Sequence, residues 1–325
     1  MPRIDKRITR PAVRLVKDSA QASLELFKVM VPIIVVVRIL QDLGLISYLA
    51  VPLEPVMRLM GLPGSMGLVW ATGLINNIYA AMIVFVSLPE SGQMTTAQVT
   101  VLSTLMLIAH ALPVELKIAQ KSGPRLLFQG LTRMGSALVV CMALNLIYTK
   151  ANILQEPCSI IWDPDPIPAG YVSWALTQLK NLAAIFGIIT LLLVVMRTLD
   201  KLKITRIFIH ILGPVLRQMG IGEKAAPLSI IGMTMGLSYG GGLILQEIKK
   251  GDIPAREVFF SITLMGLCHS MIEDTLLMLL LGAHLSGILW ARLFYALLFT
   301  AALVRIHSAV SQQFSRRFLY AARTD

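Results

Sequence analysis

The sequence predicts an all-α polytopic membrane protein with about ten transmembrane segments, arranged as two inverted five-segment repeats. Composition indicates the membrane, because 56% of the 325 residues are hydrophobic and only 14% are charged. Soluble domains carry about a quarter charged residues. The mean hydropathy of +0.73 agrees. A third observation indicates the repeats: the chain matches itself, without gaps, at an offset of 159 residues.

The internal repeat is carried by residue types that rarely match by chance. TLMLIAHALPVE at 104–115 aligns with TLMGLCHSMIED at 263–274. Arginine, proline and glycine match at the same offset in the pairs Arg38–Arg197, Pro55–Pro214, Gly61–Gly220, Gly123–Gly282 and Arg133–Arg292. Matches of Leu and Val are common in apolar sequence, whereas ungapped matches of these residues are not. Residues 23–149 and 182–308 are therefore predicted to be two copies of one fold unit.

Glycine, proline and charged residues divide each copy into five apolar segments. In the first copy the segments cover about 24–42, 45–62, 66–88, 95–116 and 126–149. In the second they cover about 182–200, 204–220, 225–247, 254–281 and 286–306. Whether 45–62 and 204–220 cross completely is left open, because both contain proline. A basic amphipathic segment at 1–22, a linker at 150–181 and a tail at 309–325 complete the chain.

Loop charges predict the orientation of these segments. An odd number of crossings per copy inverts the second copy relative to the first. Basic residues concentrate in the loops near 117–125 and 249–256 and in the tail, whereas the linker holds Glu156, Asp163 and Asp165. The positive-inside rule then places both termini in the cytoplasm and the linker outside, with the protein in the cell inner membrane.

Several other classes of protein are disfavoured. The net charge of +11 would suit a nucleic-acid-binding protein, but the basic residues lie between apolar runs. Of the three cysteines only Cys158 lies in a polar stretch, so a disulfide framework is not expected. Residues 1–22 have no apolar core and do not form a cleavable signal peptide. No GxxxxGK[ST] phosphate loop is present.

Each copy places a histidine, and a carboxylate five positions later, inside an otherwise apolar run. Ionisable side chains within membrane spans are costly and mark functional sites. In helices over 95–122 and 254–282 both histidines lie near mid-helix, and Pro113 breaks or kinks the first helix just after His110. His269 and Glu273 would share a helix face at i,i+4.

Two imidazoles and three carboxylates make up this candidate site for a metal ion or a proton. Such a set can bind a divalent transition metal, relay protons or hydrogen-bond a polar solute. The alternative is that each histidine pairs with its own carboxylate to fix helix packing. The candidate residues are His110, Glu115, His269, Glu273 and Asp274.

The third segments carry a second polar feature at similar depth. GLINNIYAA in the first copy and GLSYGGG in the second interrupt apolar sequence with amides, hydroxyls and glycines. Three successive glycines weaken a helix and expose its backbone, as in the unwound helices that bind transported solutes. Close helix packing through small residues is the alternative. The candidate substrate-binding residues are Asn76, Asn77, Tyr79, Ser238, Tyr239, Gly240, Gly241 and Gly242.

Four arginines occupy matching positions near segment ends. Arg38 and Arg197 end the first segments, and Arg133 and Arg292 begin the fifth. Long basic side chains near helix ends commonly extend to the membrane interface. We therefore expect all four arginines to lie at the interface rather than inside the protein.

The duplicated unit with GLINNIYAA and GLSYGGG, followed by histidine-containing helices, resembles the nucleoside-recognition (Gate) domain family. That family includes spore maturation proteins A and B and resembles parts of concentrative nucleoside transporters and of ferrous iron transport protein B. The resemblance covers most of residues 24–306. It implies a transport-type fold with a polar site near Asn76, Asn77 and 238–242, and it does not identify the substrate.

These observations favour a transporter that moves a small polar solute or a divalent metal ion by alternating access. A nucleoside-type permease, a non-transporting membrane scaffold and an intramembrane metal-dependent hydrolase are the alternatives. The His-to-carboxylate spacing does not match HExxH, so no enzymatic activity is expected. A divalent metal is the candidate cofactor. The expected partners are the lipid bilayer and the solute or ion, with a homo-oligomer left open and no nucleic acid.

Overall fold

The computed structural model describes residues 6–45, 48, 51–162, 170–236 and 253–320, and the structural statements below concern these residues. Within them the chain is helical, with no β-strand and only two isolated β-bridges. Short 3-10 and π-helical stretches occur at Pro89–Gln93, Ser286–Ala291 and Ser315–Leu319. The α-helices are α1 (Lys6–Asp42), α2 (Glu54–Leu59), α3 (Met66–Ile75), α4 (Ile78–Ser87), α5 (Thr96–Ile108), α6 (Leu112–Lys121), α7 (Leu126–Lys150), α8 (Tyr171–Lys201), α9 (Ile204–Gln218), α10 (Ala225–Met235), α11 (Ala255–Leu267), α12 (Glu273–Leu280), α13 (Arg292–Ala309) and α14 (Gln312–Phe314).

Four stretches in the described part are long and apolar enough to cross a membrane. They are Thr96–Lys121, Leu126–Lys150, Tyr171–Leu199 and Ser286–Ala309. Large apolar side chains lie exposed on the outer helices, among them Leu131 of α7, Leu191 of α8 and Phe294 of α13. Charged side chains lie fully buried inside. An apolar exterior around a partly polar interior is the arrangement of a membrane protein, and the predicted all-α membrane class is confirmed.

Helices α5 and α11 form the centre of the fold. Every residue of α5 from Val99 and of α11 from Val258 is buried, as expected for helices that are apolar on all sides. A capping box starts α5, in which the Thr95 side chain accepts from the Gln98 amide and the Gln98 side chain accepts from the Thr95 amide. Because both helices are surrounded by others, residues at their ends lie deep in the molecule.

The backbone repeats at the same offset as the sequence. Helix α5 and helix α11 begin and end at equivalent residues. Left-handed backbone conformations also recur in equivalent pairs, which are Gly44 and Lys203, Gly61 and Gly220, Ala111 and Ser270, and Gly123 and Gly282. Such conformations are rare outside glycine. Their recurrence at one spacing indicates that the two copies fold alike at these points.

The predicted second segments contain helix in both copies. In the second copy, the 15 residues of α9 fill most of the predicted segment 204–220. In the first copy, the 6 residues of α2 lie near the end of the predicted segment 45–62, part of which lies outside the described residues. Helix α1 joins the predicted amphipathic segment to the first apolar segment without a break.

The first part of the linker is anchored to both copies. The backbone amides of Thr96 and Ala97, at the start of α5, donate to Glu156 and Leu154, and the amides of Ile161 and Trp162 donate to the Leu280 carbonyl at the end of α12. The linker is shorter than the predicted range 150–181, because α8 begins at Tyr171. Asp163 and Asp165 lie outside the described residues.

Candidate functional site

The site forms where two central helices break. Helix α5 ends at Ile108 and α6 begins at Leu112, while α11 ends at Leu267 and α12 begins at Glu273. Between them Ala111 and Ser270 both adopt a φ of 46°. The break near His110 was expected from Pro113, which lies in the first turn of α6. The second break contains no proline and was not expected.

The two breaks bring His110 and His269 together in the interior. The Nδ1 atom of His110 lies 3.0 Å from the Met106 carbonyl oxygen, and that of His269 lies 2.8 Å from the Met265 carbonyl oxygen. A carbonyl only accepts, so each Nδ1 carries the hydrogen and donates it. The two Nε2 atoms lie 3.2 Å apart. With both Nδ1 atoms protonated, their Nε2 lone pairs face each other, and only a proton or another cation between them relieves the repulsion.

Glu115 completes this arrangement from the first turn of α6. Its Oε1 atom lies 3.1 Å from the Nε2 of His269 and 3.5 Å from that of His110. Its other oxygen is paired with Arg133 of α7. Arg133 also donates to the carbonyl oxygens of Ile108, at 2.9 Å, and His110, at 3.2 Å. One guanidinium thus satisfies the carbonyls freed by the helix break and holds the carboxylate in place.

The equivalent carboxylate and arginine of the second copy make fewer hydrogen bonds. Asp274 is buried, and a carboxylate oxygen lies within 4.8 Å of the ring nitrogens of both histidines. The equivalent arginine, Arg292, lies 3.9 Å from the Asp274 Oδ2. No nitrogen of that guanidinium makes a hydrogen bond with an oxygen of a described residue, and the buried Cys268 thiol is its other polar neighbour. The π-helical stretch Ser286–Ala291 precedes α13, whereas the equivalent residues 127–132 belong to the regular α-helix α7.

The buried arginines correct the prediction made from the sequence. Arg133 is 1% exposed and Arg292 is 0% exposed, so neither extends to the membrane interface. They were missed because a single sequence does not distinguish a terminal arginine from an interior one. The available signal was that each arginine follows its carboxylate by 18 residues in both copies. Arg38 and Arg197 instead pair with Asp42 and Asp18 on the more exposed outer helices.

Glu273 does not join the histidines. Because the helix is broken between Leu267 and Glu273, the predicted i,i+4 face shared by His269 and Glu273 is wrong. Glu273 instead accepts a hydrogen bond of 3.0 Å from the Tyr79 hydroxyl of α4. Tyr79, predicted as a substrate-binding residue, thus contacts a residue of the predicted metal or proton site.

Of the other predicted substrate-binding residues, the two asparagines lie at a helix break and the rest lie outside the described residues. Asn76 and Asn77 lie at a break between α3 and α4, and both are half-buried. The Asn77 side chain accepts from the Ala80 amide at 2.9 Å and so caps α4. Asn76 makes no side-chain hydrogen bond with a described residue. Ser238, Tyr239 and Gly240 to Gly242 lie outside the described residues.

Equivalent residues also meet elsewhere along the interface of the two copies. The Tyr295 hydroxyl of α13 donates to the Ser136 hydroxyl of α7 at 3.0 Å, and these residues too are separated by 159 positions. Residues that lie near a two-fold axis contact their own equivalents. The His110–His269 and Ser136–Tyr295 contacts are therefore what an approximate two-fold relation between the copies would produce.

Comparison with known proteins agrees with the residue pattern. A family model described as nucleoside recognition (Gate) matches residues 23–123. An uncharacterized membrane protein of Bacillus subtilis (strain 168), YvoD, is 25% identical over 287 residues, which cover 87% of this chain and 90% of that relative. No solved structure matches the chain. The predicted resemblance to the Gate family is thus confirmed, and it points to a membrane family related to transport.

Proposed function

We propose that this chain, whose residues 23–123 carry the Gate match, is a transporter that carries a divalent transition-metal ion across the cell inner membrane. The ion would bind at the two helix breaks, between His110, His269 and Glu115, with Asp274 as a further ligand. The observation that carries the proposal is the pair of imidazole Nε2 atoms 3.2 Å apart beside a carboxylate oxygen.

The ligand spacing supports this ion class. The two Nε2 atoms and the Glu115 Oε1 form a triangle with sides of 3.2, 3.1 and 3.5 Å. A tetrahedral ion with bonds of about 2.0–2.1 Å separates its ligand atoms by about 3.3–3.4 Å. The backbone bonds of both Nδ1 atoms orient the rings, as second-shell partners of metal-binding histidines do. Imidazole with carboxylate suits Zn²⁺, Fe²⁺ or Mn²⁺, whereas Mg²⁺ and Ca²⁺ favour oxygen ligands alone.

Charge balance favours moderate affinity. Two buried carboxylates, Glu115 and Asp274, are offset by two buried guanidiniums, Arg133 and Arg292. A divalent ion would add two positive charges to a site already balanced when both imidazoles are neutral, and buried charges are costly. Moderate affinity suits a carrier, because transported ions have to leave as well as bind.

The proposed mechanism is alternating access between two inverted repeats of five segments, with about ten crossings and both termini cytoplasmic. The matching left-handed residues and the contacts between equivalent residues support the repeats. The loop charges support the orientation. Broken helices at the contact between the copies are where transporters of this type hold their cargo.

A small polar solute is a second candidate cargo. Asn76 favours it, because this half-buried amide lies at the α3–α4 break without a hydrogen bond to a described residue. The family description, nucleoside recognition, makes nucleosides the first solutes to test.

Titration of the purified protein tests both cargoes. Fe²⁺, Mn²⁺, Zn²⁺, Mg²⁺ and nucleosides would be added in separate calorimetric titrations, at two pH values. We expect heat of binding from a transition metal and none from Mg²⁺. The double variant His269→Asn/Asp274→Asn should abolish metal binding, while His210→Asn, on an exposed surface of α9, should not change it.

The controls separate binding from folding. Each variant would be checked for an unchanged elution volume and melting temperature in detergent. Metal binding that is equal in the wild type and the double variant would refute the proposed site. Binding of nucleosides without binding of metals would instead favour a small polar solute as the cargo, and the histidine cluster would then have a structural role.

A further inference from the structure

A separate cavity lies between α1 and α8, the first long helices of the two copies. Its volume is about 150 Å³. The walls are apolar side chains, two from α1 and four from α8, including Leu26, Leu192 and Leu193. Among the described residues, Tyr79 and Glu273 are the other lining residues and supply the polar groups. The described lining is thus apolar with one carboxylate.

That carboxylate is incompletely satisfied. The Glu273 Oε1 accepts a hydrogen bond from Tyr79, and the second oxygen makes no hydrogen bond with a described residue. No basic side chain in the described part of the chain pairs with Glu273. Glu273 is half-buried among apolar groups, and a carboxylate in such surroundings is costly unless a positive charge or further donors compensate it. The described part of the chain therefore supplies no positively charged partner for this carboxylate.

Glu273 is distinct from the histidine cluster although it precedes Asp274. Neighbouring residues on a helix point about 100° apart. Asp274 lies close to the two histidines, whereas Glu273 contacts Tyr79 and faces the cavity. A hydrated metal ion would not be held here, because one carboxylate and a phenol among apolar walls cannot replace its water ligands.

The size and lining of the cavity identify the class of ligand. An apolar cavity of about 150 Å³ in another protein holds a molecule the size of benzene. We propose that this cavity binds a small organic cation, with its ammonium group on Glu273 and its apolar body between α1 and α8. Charge complementarity supplies the polar contact, and burial of the apolar body supplies the rest.

Exposed apolar side chains beside the cavity make it accessible from the lipid phase. Leu26, Leu193 and Met196 are only half-buried, so the cavity opens at the surface between α1 and α8. Nearby side chains of α8, among them Leu191 and Val194, are exposed and apolar. An amine with an apolar body enters a bilayer and reaches this opening from the membrane.

The test compares three probes of similar size and different charge. Benzylamine, benzyl alcohol and benzoate would be titrated against the full chain in phosphatidylcholine nanodiscs, with empty nanodiscs as the blank. Calorimetry should give binding of benzylamine at least tenfold tighter than that of benzyl alcohol, and none of benzoate. Equal binding of all three probes, or no binding of benzylamine, would overturn the proposal.

Variants assign the binding to this cavity. Glu273→Gln keeps the shape and removes the charge, so benzylamine affinity should fall at least tenfold while that of benzyl alcohol stays the same. Ala22→Leu should fill the space and abolish binding of both, and it replaces the first variant if Glu273→Gln does not fold. Glu25→Gln, on the exposed face of α1, is the matched control and should bind like the wild type. Unchanged benzylamine binding in Glu273→Gln, or in Ala22→Leu, would refute the site whatever the outcome of the metal titrations.

Discussion

The two buried arginines provide an internal comparison. Arg133 and Arg292 occupy equivalent positions and are equally buried, but they differ in their bonds. Arg133 bonds to Glu115 and to two carbonyl oxygens, whereas Arg292 lies 3.9 Å from Asp274 and makes no hydrogen bond with a described oxygen. We predict that Arg133→Met destabilises the protein much more than Arg292→Met does.

The magnitude follows from these contacts. At 3.9 Å the attraction between Arg292 and Asp274 is about 4 kcal/mol for an effective dielectric constant of about 20. Desolvation of each buried ion costs several kcal/mol, so this pair contributes close to nothing in net terms, and Asp274 can take up a proton once Arg292 is removed instead of staying as an uncompensated charge. Arg133 adds three hydrogen bonds from a charged donor, and removal of one partner of such a pair costs about 3–5 kcal/mol. The expected difference between the two variants is therefore about 3 kcal/mol.

Unfolding in mixed detergent and SDS micelles would measure the difference. Arg133→Met and Arg292→Met would be compared with the wild type, with Arg217→Met on the exposed end of α9 as the control. We expect a large loss for Arg133→Met, and a loss of no more than about 1 kcal/mol for Arg292→Met. Equal losses for the two interior variants, or a larger loss for Arg292→Met, would refute the reasoning.

Three further predictions concern orientation, backbone and pH. For orientation, an impermeant maleimide applied to intact cells should label Ser159→Cys in the linker and leave Lys121→Cys unlabelled; labelling of Lys121→Cys alone would contradict the topology. The native Cys158 is a poorer reporter, because it is half-buried and burial raises the pKa of its thiol, which lowers the reactive thiolate fraction. For the backbone, Gly282→Ala should destabilise the protein more than Gly123→Ala does in the same SDS titration. Both glycines have positive φ, but only at Gly282 would the added Cβ lie 2.6 Å from a backbone oxygen. Equal losses of stability for the two variants would contradict this reasoning. For pH, metal binding should weaken as the pH falls from about 8 to about 5.5, because protons compete with the metal for the imidazole nitrogens; calorimetric affinities that do not change with pH would argue against imidazole ligands.

Some features were predictable because they depend on local sequence. The membrane class followed from apolar runs, since a bilayer requires them wherever the chain crosses. The repeat followed from ungapped matches, and its signature recurs in the backbone at Ala111 and Ser270. The sequence placed His110 and His269 in one candidate site, and the structure has their Nε2 atoms 3.2 Å apart. Their role in ion binding stays a prediction.

Other features depend on how the helices pack, and the sequence did not reveal them. The break at 268–272 contains no proline, so no residue type marks it. It turns Glu273 toward Tyr79 and leaves Asp274 near the histidines, which a continuous helix would not do.

The two arginines show which properties are local and which depend on packing. Their equivalence is evident from the sequence, because residue identity and spacing are local properties. Their burial depends on the packing of the helices, as does the difference between Arg133, which pairs with its carboxylate, and Arg292, which stays 3.9 Å away from Asp274. A terminal arginine reaches water or the interior according to which helices surround it, and that choice depends on contacts between residues far apart in the chain.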